Sequence, residues 1–275
     1  NNDIMSKKNF LNYYKKNGYI ILKVFNKNEI ESLKSKIKKK ATKHLKKKNW
    51  KLEKYHEHVN QNVNSKIAKN KNRFINVENS VIKKLKSNKK IKKVLDYSWS
   101  HSNFILPDQK YLIGKSKSTT LKKLRKREIQ FRIVVPQKKN TLSAAPPPHV
   151  DLNAGKITNK ILNGKKVMDT SSLQFTLWTP LIGFTKNYTL RVAPGSHLHN
   201  HPINRISKNN KYYKSPVFDK KYYKKFKFKR FNLSKGQCIL FDGNLIHGGT
   251  NNHGNKTRVN LEFRLYNNKS INILR

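Results

Sequence analysis

The chain of 275 residues has one cysteine, Cys238, so it can form no internal disulfide and carries no paired-cysteine metal motif. A chain of that kind fits a reducing compartment, and a cytoplasmic protein is expected. Long apolar runs are also missing. No stretch approaches the roughly 20 apolar residues of a membrane-spanning helix. The opening Asn-Asn-Asp-Ile-Met-Ser-Lys-Lys has no apolar segment of the kind a secretory signal needs. The 11 glycines make neither a dinucleotide fingerprint nor a phosphate-cradling loop. Ser196 beside His197 lacks the strand–turn–helix elbow and orienting acid of a serine hydrolase. Acidic residues number only 14.

Against those 14 acids stand 62 basic residues, a formal charge of +48. One reading is a polyanionic partner such as nucleic acid, or an anionic substrate. The other is compositional drift. Only 10 of the 62 basic residues are Arg and the rest are Lys. Asn and Ile are abundant too, as an A/T-rich coding sequence would supply. Arg is the side chain that forks onto phosphates and base edges, and the Lys are spread from end to end. Drift is the better account.

Hydrophobic spacing divides the chain into a helical first part, about 6–97, and a strand-rich second part, about 127–266. Residues 6–17 read as a helix ended by Gly18, followed by a strand over Tyr19–Phe25. Asn26 with Glu29 forms a capping-box-like pair, and Ile30, Leu33, Ile37, Ala41 and Leu45 mark an amphipathic helix. Residues 46–75 read as polar loop with exposed His56 and His58, and a second helix is expected over about 79–97. Lys115–Lys126 reads as a basic loop. From Arg127 the period changes to two: Ile129, Phe131, Ile133 and Val135 alternate with Gln130, Arg132 and Val134. The same alternation sets Phe175 and Leu177 against Thr176 and Trp178, and Val259, Leu261, Phe263 and Leu265 against Arg258, Asn260, Glu262 and Arg264. Shorter strands are expected at Thr189–Ala193, Lys229–Leu233 and Gln237–Phe241. Residues 198–228 form a long insertion of the sort that often serves as a lid. The sum is a mainly β protein with flanking helices. A single domain over 1–275 is expected, with a double-stranded β-helix (jelly-roll, cupin-like) core.

Two segments carry the chemistry. Pro146-Pro-Pro-His149-Val-Asp151 holds an H-x-D, which alone reads as a loop His beside a capping Asp. Leu240-Phe-Asp-Gly-Asn-Leu-Ile-His247 supplies a second His at a strand end, and Arg258 follows 11 residues later. Two histidines and one carboxylate on one face of an iron ion, with other positions open, form the non-haem Fe(II) oxygenase arrangement. An Arg on the next strand can fork onto the distal carboxylate of 2-oxoglutarate. Between these segments lies Asn187-Tyr-Thr-Leu-Arg-Val-Ala-Pro-Gly-Ser-His197.

Together these motifs resemble the phytanoyl-CoA dioxygenase family of Fe(II)/2-oxoglutarate oxygenases. The family's H-x-D matches His149-Val150-Asp151, its distal His matches His247, and its following Arg matches Arg258. Its Gly-aromatic-aliphatic opening matches Gly18-Tyr19-Ile20. The resemblance spans about residues 10–266, with two departures: Val150 replaces a common Gln, and Tyr188 replaces a turn Gly. It implies Fe(II) held by His149, Asp151 and His247, with 2-oxoglutarate and O2 as cosubstrates. Arg258 would pair with the cosubstrate, and Thr176 and Trp178 would line its pocket. Gln130 and Arg132 are further pocket candidates by register. The implied reaction is hydroxylation of a small molecule, anionic in one reading of the charge, with release of succinate and CO2. Three rivals remain: a non-catalytic cupin-like binding protein, a nucleic-acid-associated protein on the same fold, and a jelly-roll enzyme of another metal. His197, His199 and His201 could suggest a second metal, but after a Pro-Gly turn they read as turn and loop histidines. His253 reads as a turn residue.

Overall fold

The computed structural model describes residues 9–45, 49–58, 87–99, 104–105, 129–137, 147–151, 174–199, 201, 218 and 220–267. Helix α1 (Phe10–Asn17) buries Phe10 and Tyr14 and stops at Gly18. Gly18 has φ 76° and donates its N–H to the Tyr14 carbonyl at 2.7 Å. A side chain there would be strained, and a Cβ would also fall 2.5 Å from Nδ1 of His197. Strand β1 (Tyr19–Lys23) follows, then α2 (Lys27–Leu45). Asn26 and Glu29 start α2 reciprocally: the Glu29 N–H donates to Asn26 Oδ1 at 2.9 Å, and the Asn26 N–H donates to Glu29 Oε2 at 2.8 Å. Ile30, Leu33 and Ile37 form its buried stripe.

The stretch expected to be polar loop contains a 3-10 helix, Leu52–Glu57. Trp50, Leu52 and Tyr55 join the core there. His56 and His58 are half-buried rather than exposed. Nδ1 of His56 lies 2.9 Å from the Thr257 hydroxyl, and His58 packs edge-on against Trp50. Helix α3 spans Lys89–Trp99. It lies within the span expected for the second helix, and Asn88 Oδ1 accepts the N–H groups of Lys90 and Ile91, both at 3.1 Å, and so acts as its cap. The remainder of that expected helix and the basic 115–126 stretch lie outside the described residues, as does most of the 198–228 insertion.

The strands are β2 (Phe104–Ile105), β3 (Ile129–Val134), β4 (Gln174–Ile182), β5 (Arg191–Val192), β6 (Lys229–Arg230), β7 (Gln237–Asp242), β8 (His247–Gly248) and β9 (Arg258–Asn267). A major sheet runs β1-β7-β4-β9-β2, with β3 also paired to β9, and a minor sheet runs β6-β5-β8. Every pairing among the described residues is antiparallel. Antiparallel sheets with flanking helices are consistent with a jelly-roll core.

Alternation along each strand sorts the side chains into layers. Ile20, Leu22, Phe175, Leu177, Cys238, Leu240, Val259 and Leu261 face the helices and pack with Tyr14, Ile30, Leu33 and Val94. Tyr19, Trp178, Ile239 and Phe241 face the other way, against Leu190, Val192, Phe231 and Leu245 of the minor-sheet side. On the far side of the minor sheet, Val150, Ala193, Phe218 and Ile246 pack under Tyr222, Tyr223, Phe226 and Phe228. Helix α4 (Lys220–Tyr223) and the residues after it bring those aromatics in. No helix among the described residues is long and apolar enough to cross a membrane.

Candidate metal centre

His149 and His247 are direct cross-strand neighbours. The His149 N–H donates to the His247 carbonyl, and the His247 N–H donates to the His149 carbonyl, both at 2.9 Å. Paired residues in such a ladder present their side chains to the same face. The two rings accordingly sit with centroids 4.4 Å apart. Asp151, two positions beyond His149, returns to that face. Val150 between them points the opposite way, into the aromatic-covered cluster. The departure from the family pattern at position 150 therefore lies behind the ligands.

All three ligand residues are buried, and one ligand atom from each lies within 4.8 Å of the others. Each imidazole is oriented by its own backbone. Nδ1 of His149 donates to the Pro147 carbonyl at 2.7 Å, and Nδ1 of His247 donates to the Leu245 carbonyl at 2.9 Å. With the proton on Nδ1, Nε2 presents a lone pair. Those two Nε2 atoms lie 3.9 and 3.8 Å from Oδ1 of Asp151. That separation is too long for a hydrogen bond and suits atoms that share an ion about 2 Å from each. Three inward lone pairs without intervening protons repel one another unless a cation sits between them. The donor set thus fits a metal of the iron or zinc type and is positioned to bind iron.

Thr176 on β4 donates its hydroxyl to Asp151 Oδ2 at 2.6 Å. The expectation that it lines a cosubstrate pocket is therefore not what the geometry displays. Thr176 sits behind the carboxylate, occupies one oxygen and turns the other toward the histidines. This is the outer support that metal-binding carboxylates commonly have. Ser196 is a second support that the sequence did not reveal. Its buried Oγ accepts the Ile246 N–H at 2.8 Å, one residue before His247.

A cavity opens beside the three ligands, lined by Val134, Trp178, Phe184, Thr189, Leu190, Gly249, Thr250, Arg258, Asn260 and Glu262. Arg258, Asn260 and Glu262 are alternate residues of β9, on the face opposite Val259 and Leu261. Arg258 is buried. It donates to the Thr250 carbonyl and lies over the Phe184 ring at 5.7 Å, while its Nε has no partner. Burial alone pushes the guanidinium down to about 10, with no neighbouring carboxylate to offset it. It remains charged near neutral pH and faces the cavity with no ion-pair partner among the described residues. Trp178 lines the cavity as expected, its ring edge-on to Phe184. Gln130 and Arg132 pair in register with Glu262 and Asn260, and their side chains lie outside the described residues.

The other histidines are not assembled into a metal-holding group among the described residues. His197 packs against Tyr14 in a 3-10 turn over Ser196–Leu198, and burial lowers its pKa. His201 is fixed by the Tyr222 hydroxyl at 2.7 Å and the Asn244 carbonyl at 3.0 Å. His253 is an exposed turn residue whose Nδ1 lies 3.2 Å from the Gln137 carbonyl.

Comparison with known proteins agrees with this geometry. The family model described as phytanoyl-CoA dioxygenase (PhyH) matches residues 14–260. A search of curated proteins by sequence gave no match. Among solved structures, the epimerase SnoN in complex with Fe3+, alpha ketoglutarate and nogalamycin RO is similar at TM-score 0.54 and 12% identity, covering 94% of this chain and 82% of that one. EctD from S. alaskensis with 2-oxoglutarate and 5-hydroxyectoine is similar at TM-score 0.51 and 17% identity, covering 98% of this chain and 79% of that one. At such identities the likeness is one of fold.

Proposed function

This chain belongs to the phytanoyl-CoA dioxygenase family, and from that premise we propose that it is an Fe(II)/2-oxoglutarate-dependent dioxygenase. It hydroxylates a small-molecule substrate with release of succinate and CO2, in one domain with a double-stranded β-helix core. The observation that carries this reading is the pairing, in one cavity, of the His149–Asp151–His247 ligand set with a buried guanidinium that has no carboxylate partner among the described residues. A non-catalytic cupin-like binding protein would need neither feature, and an enzyme of another metal would need the first but not the second. The neighbours crystallised with Fe3+ and alpha ketoglutarate, or with 2-oxoglutarate, lend support on the same fold. With its one cysteine buried at Cys238, we read the protein as a cytoplasmic enzyme.

In this reading His149, Asp151 and His247 hold the iron, whose chemistry is the activation of O2 coupled to oxidation of the 2-oxo acid. Thr176 keeps Asp151 turned toward the ion. Arg258 receives the distal carboxylate of 2-oxoglutarate in a bidentate, charge-assisted pair. Trp178, Phe184 and Leu190 form the apolar wall that excludes water. Gln130 and Arg132, paired in register with Glu262 and Asn260, are the further cosubstrate-pocket residues of this reading.

Arg258 provides the test. A buried guanidinium is costly until an anion pairs with it, and 2-oxoglutarate brings that anion. Arg258→Ala should leave Fe(II) affinity nearly unchanged and weaken 2-oxoglutarate by roughly 2–5 kcal/mol, the range for breaking a buried charge pair. Arg258→Lys should restore charge without the fork and recover only part of the loss. The measurement is an anaerobic titration of the Fe(II) protein followed through its metal-to-ligand charge-transfer band. Equal affinity in wild type and Arg258→Ala would remove 2-oxoglutarate from this pocket.

A further inference from the structure

The minor sheet carries a second pair of unbalanced guanidiniums, on the face turned away from the metal ligands. Strand β5 alternates: Val192 packs into the inter-sheet core, and Arg191 takes the opposite side. In the antiparallel ladder Arg191 stands directly opposite Arg230 on β6 and opposite Gly248 on β8. Direct partners hold their Cβ atoms about 5 Å apart on the same face, and like charges so placed destabilise the pair. Neither Arg forms an ion pair, and Arg191 makes no side-chain hydrogen bond, among the described residues.

Arg191 is not a waving surface cation. It is half-buried, its Nε is buried without a partner, and its guanidinium stacks on the Phe228 ring at 5.1 Å. Phe228 is itself backed edge-on by Tyr223. Burial lowers the Arg191 pKa, Tyr223 raises it, and Arg230 lowers it again. The ring contact holds the guanidinium against Phe228 with Nε buried, so its terminal amino groups are the part left to meet a ligand. A second guanidinium one strand away can supply another fork.

We propose that Arg191 and Arg230 form a binding site for a phosphate-class dianion on the outer face of the minor sheet. A tetrahedral dianion has enough acceptor oxygens to engage both forks and neutralise both charges, whereas a single carboxylate satisfies one fork bidentately. The site uses two of the chain's 10 arginines, set on a strand pair and an aromatic ring, which separates it from the solvated Lys that make up most of the charge. The proposal does not depend on the iron reading, because its readout needs neither metal nor turnover.

The experiment is titration of the full chain with inorganic phosphate at constant ionic strength, observing arginine Nε–H signals by 1H–15N correlation. The Arg191 signal, identified by its loss in Arg191→Gln, should shift and saturate, while chloride at equal ionic strength leaves it in place. Arg230→Gln alters an exposed side chain, so its folding is not at issue. It should weaken phosphate by at least about tenfold, the usual scale of a charge-assisted hydrogen bond. Lys36→Gln, on the exposed side of α2, should change affinity by less than about twofold. A parallel arm with glycerol phosphate separates the sources. Equal affinity for both identifies phosphate itself, and tighter binding of the ester identifies a small organic phosphate. A shift that never saturates, or one equally strong in Arg230→Gln, would overturn the site.

Discussion

At the scale of the residue, legibility followed chemical type. His149, Asp151, His247 and Arg258 stood out because ligands and forks are few in kind and sit in recognisable strings. Thr176 was singled out only as a pocket residue, and Ser196 and His56 were assigned no role, because the roles of all three arise only when distant segments meet. Thr176 reaches Asp151 across 25 positions, Ser196 reaches Ile246 across 50, and His56 reaches Thr257 across 201. A hydroxyl hydrogen bond leaves no periodic trace in a sequence. Thr176 gives the sharpest prediction at this scale. Thr176→Val keeps the shape but removes the donor to Asp151, so Fe(II) affinity should fall about 10–100-fold, the usual cost of losing such a support. His149→Ala and Asp151→Ala should weaken it far more. An anaerobic competition against a chromophoric chelator reads all three. Unchanged affinity in both ligand variants would mean that iron binds elsewhere.

At the scale of the element, the long pieces were legible, and the short ones only where a few β-prone residues sat together. Helix α2 has both its cap and its stripe in the sequence, and β3, β4 and β9 each declare a period of two, while β7 is a continuous apolar run buried on both faces. The minor-sheet strands are two residues long; β5 and β6 fall inside the strands expected at Thr189–Ala193 and Lys229–Leu233, whereas β8 is too short for any period to register. The 3-10 helix Leu52–Glu57 hid in a polar stretch because three apolar residues, Trp50, Leu52 and Tyr55, do its packing. Turn glycines were legible, but not their unequal burdens. Gly18 and Gly195 share positive φ, at 76° and 79°. A Cβ on Gly18 would strike the His197 ring at 2.5 Å, whereas one on Gly195 meets the Lys16 carbonyl at a tolerable 3.5 Å. Gly195→Ala should therefore cost only the left-handed penalty, about 1–2 kcal/mol. Gly18→Ala adds overpacking of about 1–3 kcal/mol. Denaturant unfolding of the two variants should separate them by that second amount. Equal losses would mean that His197 moves aside freely.

At the scale of the whole molecule the dominant quantity is the charge of +48. Its two readings predict different behaviour. A dedicated nucleic-acid surface concentrates Arg where phosphates and bases are met. Here the described Arg are used locally: Arg258 faces the metal cavity, and Arg191 with Arg230 stands on the outer face of the minor sheet. The described Lys of α2 occupy the outer side of an amphipathic helix whose apolar stripe is already buried. Dispersed Lys still attract a polyanion, but through counterion release alone, which weakens steeply with salt. We therefore expect duplex DNA to bind this protein with a dissociation constant of about 10⁻⁶–10⁻⁴ M at roughly 0.15 M salt, without sequence preference. The logarithm of affinity should fall linearly with the logarithm of salt concentration. Saturating the Arg191–Arg230 site with phosphate should leave that slope in place, because the two Arg are a small part of the basic surface. Fluorescence anisotropy across a salt series gives both numbers. A sub-micromolar constant at that salt, or one sequence strongly preferred over others, would mean that the lysine excess is a binding surface rather than a compositional background.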